Sequence, residues 1–264
     1  MRRRLVCVWL AWTAVTTTAY AQVPGVTPDA PATVTPGFLT RTVATIGLAH
    51  LTSDDPRFNW AARFSGDIDV ADYRTGRVTL FGTFDGVFGS ERRAFDLNHA
   101  SYGIDLSASW RHDDTEWFAT LHHVSRHLSD RFTDHAIAWN TLDVAAERRF
   151  RAGETTGQIR LDLGKVIQRT YVDYTWTAWL STRASRPLSA RLSWFFNAAG
   201  GLQGVDPAVA HRERLCGARL ETGLHVSGRA GGARIYVAYE RRIDAYPTAQ
   251  QRGRFVEFGV RVGG

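Results

Sequence analysis

Residues 101–111 read SYGIDLSASWR, and apolar and polar side chains alternate along this whole stretch. A period of two is typical of a β-strand, because successive side chains point to opposite faces, and a helix of this length does not produce it. The stretch therefore predicts a strand with one polar and one apolar face. Its apolar face carries Tyr102, Ile104, Leu106, Ala108 and Trp110.

The same alternation recurs along most of the chain from Phe38 onwards. It gives about twelve strands of roughly ten residues or slightly more, the length that a tilted strand needs to cross a bilayer. Arg, Asp and Glu recur opposite uniformly apolar partners, and Trp and Tyr occur near strand ends. These features favour an antiparallel transmembrane β-barrel with a charge-filled lumen. A soluble sandwich or jelly roll is the structural alternative.

The connections between the predicted strands alternate between long and short. Barrels of the outer membrane have long outward loops and tight periplasmic turns, so this alternation fits the same fold. It also predicts that residues 127–134 form an extracellular loop. The predicted long connections are 51–59, 90–99, 127–134, 202–212 and 241–252, and the clearest tight turns are 74–76 and 112–115.

The first residues predict export from the cytoplasm. Residues 1–21 combine an arginine cluster, a short apolar run and the small residues Ala19 and Ala21, as in a signal peptide cleaved after Ala21. Residues 22–37 are rich in Pro, Thr and Ala without periodicity and are predicted to be a disordered leader. The barrel domain is then 38–264. We expect it in the outer membrane of a Gram-negative-type bacterium.

Composition excludes several classes of protein. No stretch offers about 18 consecutive apolar residues, which argues against a helical membrane protein. Cys216 is the one cysteine left after signal cleavage, so no internal disulfide forms. The net charge of +6 comes almost wholly from arginine. Export argues against nucleic acid as a partner. A GC-rich genome is enough to explain the arginine excess, because the sign of the charge alone identifies no partner; the alternative is that guanidinium groups contact the phosphates of outer-membrane lipids or lipopolysaccharide. The oligomeric state does not follow from the sequence.

The segment Trp117–Ala146 reads as two alternating strands joined by a polar loop. If they pair about the middle of the loop, His123 lies opposite Asn140, with Ser125 two residues along on the same apolar, lipid-facing side. A serine hydroxyl becomes a nucleophile when a base such as His123 accepts its proton. The amide oxygen of Asn140 would fix the ring, a role usually taken by a carboxylate. Ser125, His123 and Asn140 are therefore candidate catalytic residues of a lipid acyl hydrolase.

Two further groups in this segment have predicted roles. Asp130 and Asp134 lie in the loop, where their carboxylates would supply oxygen ligands to calcium. His122 and Arg126 fall on the opposite, lumen face together with Thr120, where a packed hydrogen-bond network is expected.

The region AFDLNHASYGIDLSASWR through LHHVSRHLSDR resembles an uncharacterised bacterial outer-membrane β-barrel family, called domain of unknown function 1207. That family carries a His-x-Ser-Ser-His-Leu-Gly-Asp-like motif, and the resemblance implies an outer-membrane barrel. This chain departs from the motif at Arg126 and Ser129. The corresponding residues here are His123, Ser125, Arg126, His127, Leu128, Ser129 and Asp130.

The same segment is similar to the active hairpin of the outer-membrane phospholipase A family, in which His-x-Ser on one strand is followed by Trp-Asn on the next. His123, Ser125, Trp139 and Asn140 match residue by residue, whereas Arg126-His127 replaces the family's Asn-Gly after the serine. The resemblance implies a phospholipase A-like activity. A non-enzymatic structural or binding barrel and a narrow small-solute channel remain as alternatives.

Overall fold

The computed structural model describes residues 35–129, 131–133, 135–209, 212–248 and 250–264, which form one closed antiparallel β-barrel. Each strand pairs with its neighbours in the chain, and β1 closes the ring against β12. The predicted fold class is therefore confirmed. The strands are β1 Gly37–Leu51, β2 Trp60–Asp72, β3 Arg77–Gly89, β4 Asp96–His112, β5 Thr115–Leu128, β6 Ile137–Ala152, β7 Thr155–Thr170, β8 Tyr174–Pro187, β9 Leu192–Val205, β10 Leu215–Ser227, β11 Gly232–Tyr246 and β12 Gln251–Gly263.

The predicted signal peptide, and the predicted leader up to residue 34, lie outside the described residues. Those two assignments therefore stay predictions. Along the described part of the chain, no helix combines the length and the apolar character needed to cross a membrane.

The outer face of the barrel is a mostly apolar surface. In β4, Ile104 and Leu106 are 55% and 51% exposed, whereas Asp105 between them is 5% exposed and faces the lumen. Exposed aromatic side chains lie near both ends of the strands, as in the girdles of outer-membrane barrels. They include Trp110, Trp117, Phe150 and Trp194 near one end and Phe95, Tyr171 and Trp176 near the other. This is the surface that an outer-membrane β-barrel presents to lipid.

Tight turns lie at one end of the barrel, and the long connections lie at the other end, which also carries the shorter connections 171–173 and 247–250. The loop end carries 52–59, 90–95, 129–136 and 206–214, and the turn end carries 73–76, 113–114, 153–154, 188–191 and 228–231. This alternation was predicted. The prediction of a long connection over 241–252 was wrong, because β11 continues to Tyr246 and β12 begins at Gln251, so that four residues join them.

Charged side chains fill much of the lumen and are paired with one another. Arg63 makes a bidentate contact with Glu257 at 2.8 Å, and Arg212 from the 206–214 loop reaches Asp173 and Asp244 at 2.6 and 2.7 Å. Burial lowers the pKa of Arg212, but the hydrogen bonds and charges of its two carboxylates outweigh burial and raise that pKa above its ordinary value. Such pairing lets arginine and carboxylates occupy a narrow interior.

One strand face differs from the sequence-based prediction. Strict alternation places Val172 and Tyr174 on the same face as Trp176 and Leu180. In the structure Tyr174 is 2% exposed and packs inside the barrel, and Val172 packs against the same cluster. The pairing of β8 with β9 shifts register between Tyr174 and Trp176. A bulge adds one residue and reverses which side chains face inward, which explains the difference.

Side chains from opposite walls meet across the lumen near the loop end. Arg126 of β5 donates a 2.9 Å hydrogen bond to the backbone carbonyl of Asp244 in β11, six strands away around the ring of twelve. The Tyr174 hydroxyl donates to the Asp244 carboxylate at 2.6 Å. A buried apolar cluster lies beside these contacts and joins the same walls. It consists of Val124, Trp139, Tyr174, Trp179, Leu215 and Ile243.

We expect this barrel to conduct no ions in planar lipid bilayers. The lumen of a barrel of this size is narrow, and the contacts of Arg126 and Tyr174 with Asp244 cross it. Conductance recording on the purified protein should give a flat trace after insertion. Regular steps that scale with the number of inserted molecules would contradict the prediction and support the channel alternative.

Candidate functional site

The hairpin formed by β5 and β6 brings the candidate residues to the outer face. His123 pairs with Asn140, as predicted, and Ser125 lies two residues nearer the loop end. His123, Ser125 and Asn140 are half-buried, in line with the exposed side chains of Leu121 and Leu142. The structure therefore holds these three polar residues on the lipid side, near the loop end of the barrel.

A chain of hydrogen bonds fixes the ring of His123. Its Nδ1 lies 2.6 Å from Oδ1 of Asn140, and the amide nitrogen of Asn140 donates to Oε1 of Gln168 at 2.8 Å. An amide oxygen only accepts hydrogen bonds, so Nδ1 of His123 must carry the proton in this contact. In the neutral ring with this tautomer, the opposite nitrogen, Nε2, has a free lone pair and is able to accept a proton.

Gln168 is a member of this group that strand parity does not predict. The outward side chains of β7 run through Leu161, Leu163 and Lys165, which would turn an even-numbered residue such as Gln168 towards the lumen. The pairing with β6 shifts register next to Asn140, and both Ile167 and Gln168 are exposed as a result. This bulge turns the Gln168 amide to the outer face.

Ser125 lies between two histidines on the outer face of β5. Its Oγ is 3.3 Å from Nε2 of His127, two residues towards the loop end, and His123 lies two residues towards the turn end. The ring of His127 contacts Tyr102 edge to face, with 5.3 Å between centroids. The serine hydroxyl therefore contacts His127 in this structure.

The other predicted residues of the hairpin point into the lumen. His122 hydrogen-bonds the Asp105 carboxylate, and Thr120 bonds Ser107 at 2.9 Å. This confirms the predicted lumen network. Trp139, which the resemblance matched to the phospholipase hairpin, is 2% exposed and also lies inside. It supports the wall behind the site and does not face lipid.

The predicted calcium ligands Asp130 and Asp134 lie outside the described residues. Among the residues that are described, no three His, Cys, Asp or Glu side chains come together as a metal site would require. Arg126 and His127, which directly follow Ser125, offer nitrogen groups instead of the oxygen ligands that calcium prefers. The described neighbours of Ser125 therefore supply no calcium ligands, and we derive no chemical step through calcium.

Comparison with known proteins gives no matching family model and no matching curated protein. Among solved structures, the outer membrane phospholipase (OMPLA) dimer with bound calcium from Salmonella typhi has 12% identity and a TM-score of 0.53, covering 90% of this chain and 94% of that one. Outer membrane phospholipase A from Escherichia coli has 12% identity and a TM-score of 0.51, covering 84% and 91%.

Outer-membrane expressed OmpT of Vibrio cholerae is also similar, with 9% identity, a TM-score of 0.46 and coverage of 84% and 96%. At these identities the likeness extends to the fold, which is that of an outer-membrane β-barrel. The sequence resemblance to the uncharacterised barrel family stays a prediction.

Proposed function

We propose that this chain is an outer-membrane acyl hydrolase that cleaves an ester of a membrane lipid at Ser125. The observation that carries the proposal is the 2.6 Å contact between Nδ1 of His123 and Oδ1 of Asn140 on the lipid-facing side, two residues from that serine. Polar groups facing lipid are costly unless they bond one another or reach the headgroups. A catalytic role explains why three of them lie together there.

The chemistry follows from the groups present. The Ser125 hydroxyl turns from His127 to His123, whose Nε2 takes the hydroxyl proton while Oγ bonds the ester carbonyl carbon. The carbon–oxygen bond to the lipid alcohol then breaks, and the protonated His123 returns the proton to that alcohol. Water, deprotonated by the same Nε2, then bonds the acyl carbon, the bond from that carbon to Oγ breaks, and the protonated His123 returns the proton to Oγ as the fatty acid leaves. Asn140 stabilises the charged ring and holds its orientation throughout.

The position of the site determines which substrates reach it. A lipid in the bilayer arrives laterally at the outer face and need not leave the membrane, because its ester groups lie just below the headgroups. We propose phospholipid or the acylated lipid of lipopolysaccharide as substrate and partner. We also propose that the protein is exported by a cleaved signal peptide to the outer membrane of a Gram-negative-type cell.

Purified protein refolded in mixed micelles should release fatty acid from a glycerophospholipid. We keep calcium as a proposed cofactor bound by Asp130 and Asp134, so the rate should fall in a chelator and recover with added calcium. The double variant Asp130→Asn/Asp134→Asn should lose that recovery, whereas the exposed control Asp113→Asn, at the turn end, should keep it. Fatty acid titration measures both effects.

A folded barrel that is inert towards lipid esters, with or without calcium, would contradict the hydrolase and leave the non-enzymatic barrel. An active enzyme that a chelator does not affect would remove calcium from the proposal and leave the serine chemistry intact.

A further inference from the structure

The outer face of β5 presents three functional side chains in line. From the turn end to the loop end these are His123, Ser125 and His127, each two residues from the next. The base therefore lies on the side of the serine that faces the membrane interior. His127 lies on the side that faces water.

In a membrane leaflet, the ester and phosphate groups of a glycerophospholipid follow the same order from the membrane interior to water. Its acyl esters lie deeper than its phosphate, and five or six covalent bonds join an ester carbonyl carbon to the phosphorus. Two residues of extended chain contain six backbone bonds and span roughly 7 Å. An ester carbonyl at Ser125 therefore leaves the phosphate at the level of His127.

His127 has the chemistry and the freedom to take that phosphate. Its side chain is exposed, and its ring is steadied by the edge-to-face contact with Tyr102. When the Ser125 hydroxyl turns to His123, the 3.3 Å contact with Nε2 of His127 is released. In the tautomer that carries the hydrogen on Nε2, this imidazole N–H then becomes available, and such a group forms strong hydrogen bonds to phosphate oxygens.

We propose that His127 is the headgroup-binding residue of the site and donates a hydrogen bond to the phosphate of a glycerophospholipid. The inference rests on the proposed hydrolase function and adds the substrate class. It gives His127 two successive partners, the Ser125 hydroxyl in the resting site and the phosphate in the substrate complex. It also predicts that a diacylglycerol, which lacks the phosphate, is a poorer substrate.

The test compares lipids with and without a phosphate in His127→Ala, in His127→Asn and in the control His112→Ala, an exposed histidine at the turn end. The ratio of kcat/KM for dihexanoyl phosphatidylcholine to that for dihexanoylglycerol should fall about tenfold or more in His127→Ala, because a hydrogen bond to a charged group is lost. His127→Asn keeps an N–H donor and should be intermediate, and His112→Ala should keep the wild-type ratio. An unchanged ratio in His127→Ala would overturn the proposal.

A binding measurement separates this inference from the hydrolase itself. In the Ser125→Ala background, equilibrium dialysis should show about tenfold weaker binding of dihexanoyl phosphatidylcholine when His127 is also Ala. Binding of dihexanoylglycerol should fall much less. Phosphate-dependent binding without any cleavage by wild type would overturn the hydrolase and keep the phosphate site. Cleavage with equal binding by both proteins would overturn the phosphate site alone.

Lipid A and inorganic phosphate serve as competitors, and stronger competition by lipid A than by phosphatidylcholine would overturn the glycerophospholipid assignment.

Discussion

Replacing Ser125 with Ala should lower kcat/KM for lipid ester cleavage by about 10⁴-fold or more, the loss seen when a nucleophile is removed from a catalytic triad. The Oγ atom forms the bond to the acyl carbon, and no neighbouring group can replace it. Fatty acid release from mixed micelles measures the effect. Ser129→Ala provides a matched control, because Ser129 follows the same strand in the 129–136 loop. It should leave the rate near that of wild type.

The two flanking histidines should respond differently to substitution. His123→Ala should approach the loss of Ser125→Ala, because the Asn140 contact fixes the ring of His123 and leaves its Nε2 as the base. Asn140→Ala should lower kcat/KM about 100-fold, since it frees the His123 ring to rotate but leaves the ring in place. If His127→Ala abolishes cleavage and His123→Ala does not, then His127 is the base and the proposed assignment is wrong. Unchanged cleavage in Ser125→Ala would exclude the serine mechanism altogether.

Local sequence predicts most of the barrel because apolar and polar side chains alternate within each strand, independently of the other strands. A period of two was enough to predict the outward side chains of β4. The same period and the midpoint of the loop were enough to predict the pairing of His123 with Asn140. Where one residue is inserted, the same argument fails. The register shifts beside Tyr174 and Asn140 reverse the expected faces of Tyr174 and Gln168, and the residue inserted at each shift, Thr175 or Ile167, is neither proline nor glycine.

Contacts between distant strands were also beyond the sequence. Arg126 and Asp244 are 118 residues apart and meet because the ring brings β5 and β11 face to face. Parity places each charged residue on the lumen side but does not say which carboxylate it meets. The serine contact with His127 depends on side-chain rotamers, which the alternation of residues does not determine. The fold was therefore easier to predict than the hydrogen-bond and ion-pair partners of its side chains.

Replacing Glu257 with Gln should lower the free energy of unfolding by about 3 kcal/mol, because it removes the shared carboxylate of a buried ion-pair network. Glu257 is fully buried and contacts Arg63 and Arg219, each at 2.8 Å. The neutral amide has one oxygen, which accepts from one guanidinium, and its NH2 group, itself a donor, faces the other guanidinium. Glu240 and Glu221 still pair with Arg219, but they do not restore the contacts that Arg63 and Arg219 lose.

Urea unfolding in lipid vesicles, followed by heat-modifiable gel migration, measures this loss. Glu154→Gln is the matched control, because Glu154 pairs with Arg186 at 3.2 Å while the two side chains are 72% and 57% exposed. Water screens that pair, so the control should lose less than about 1 kcal/mol. Glu257→Gln leaves the ion-pair network with one positive charge in excess; adding Arg63→Met restores its charge balance and should recover part of the stability. Equal losses in Glu257→Gln and Glu154→Gln would mean that water enters the lumen and screens Glu257 as well, because only a dry interior makes a lost carboxylate so costly.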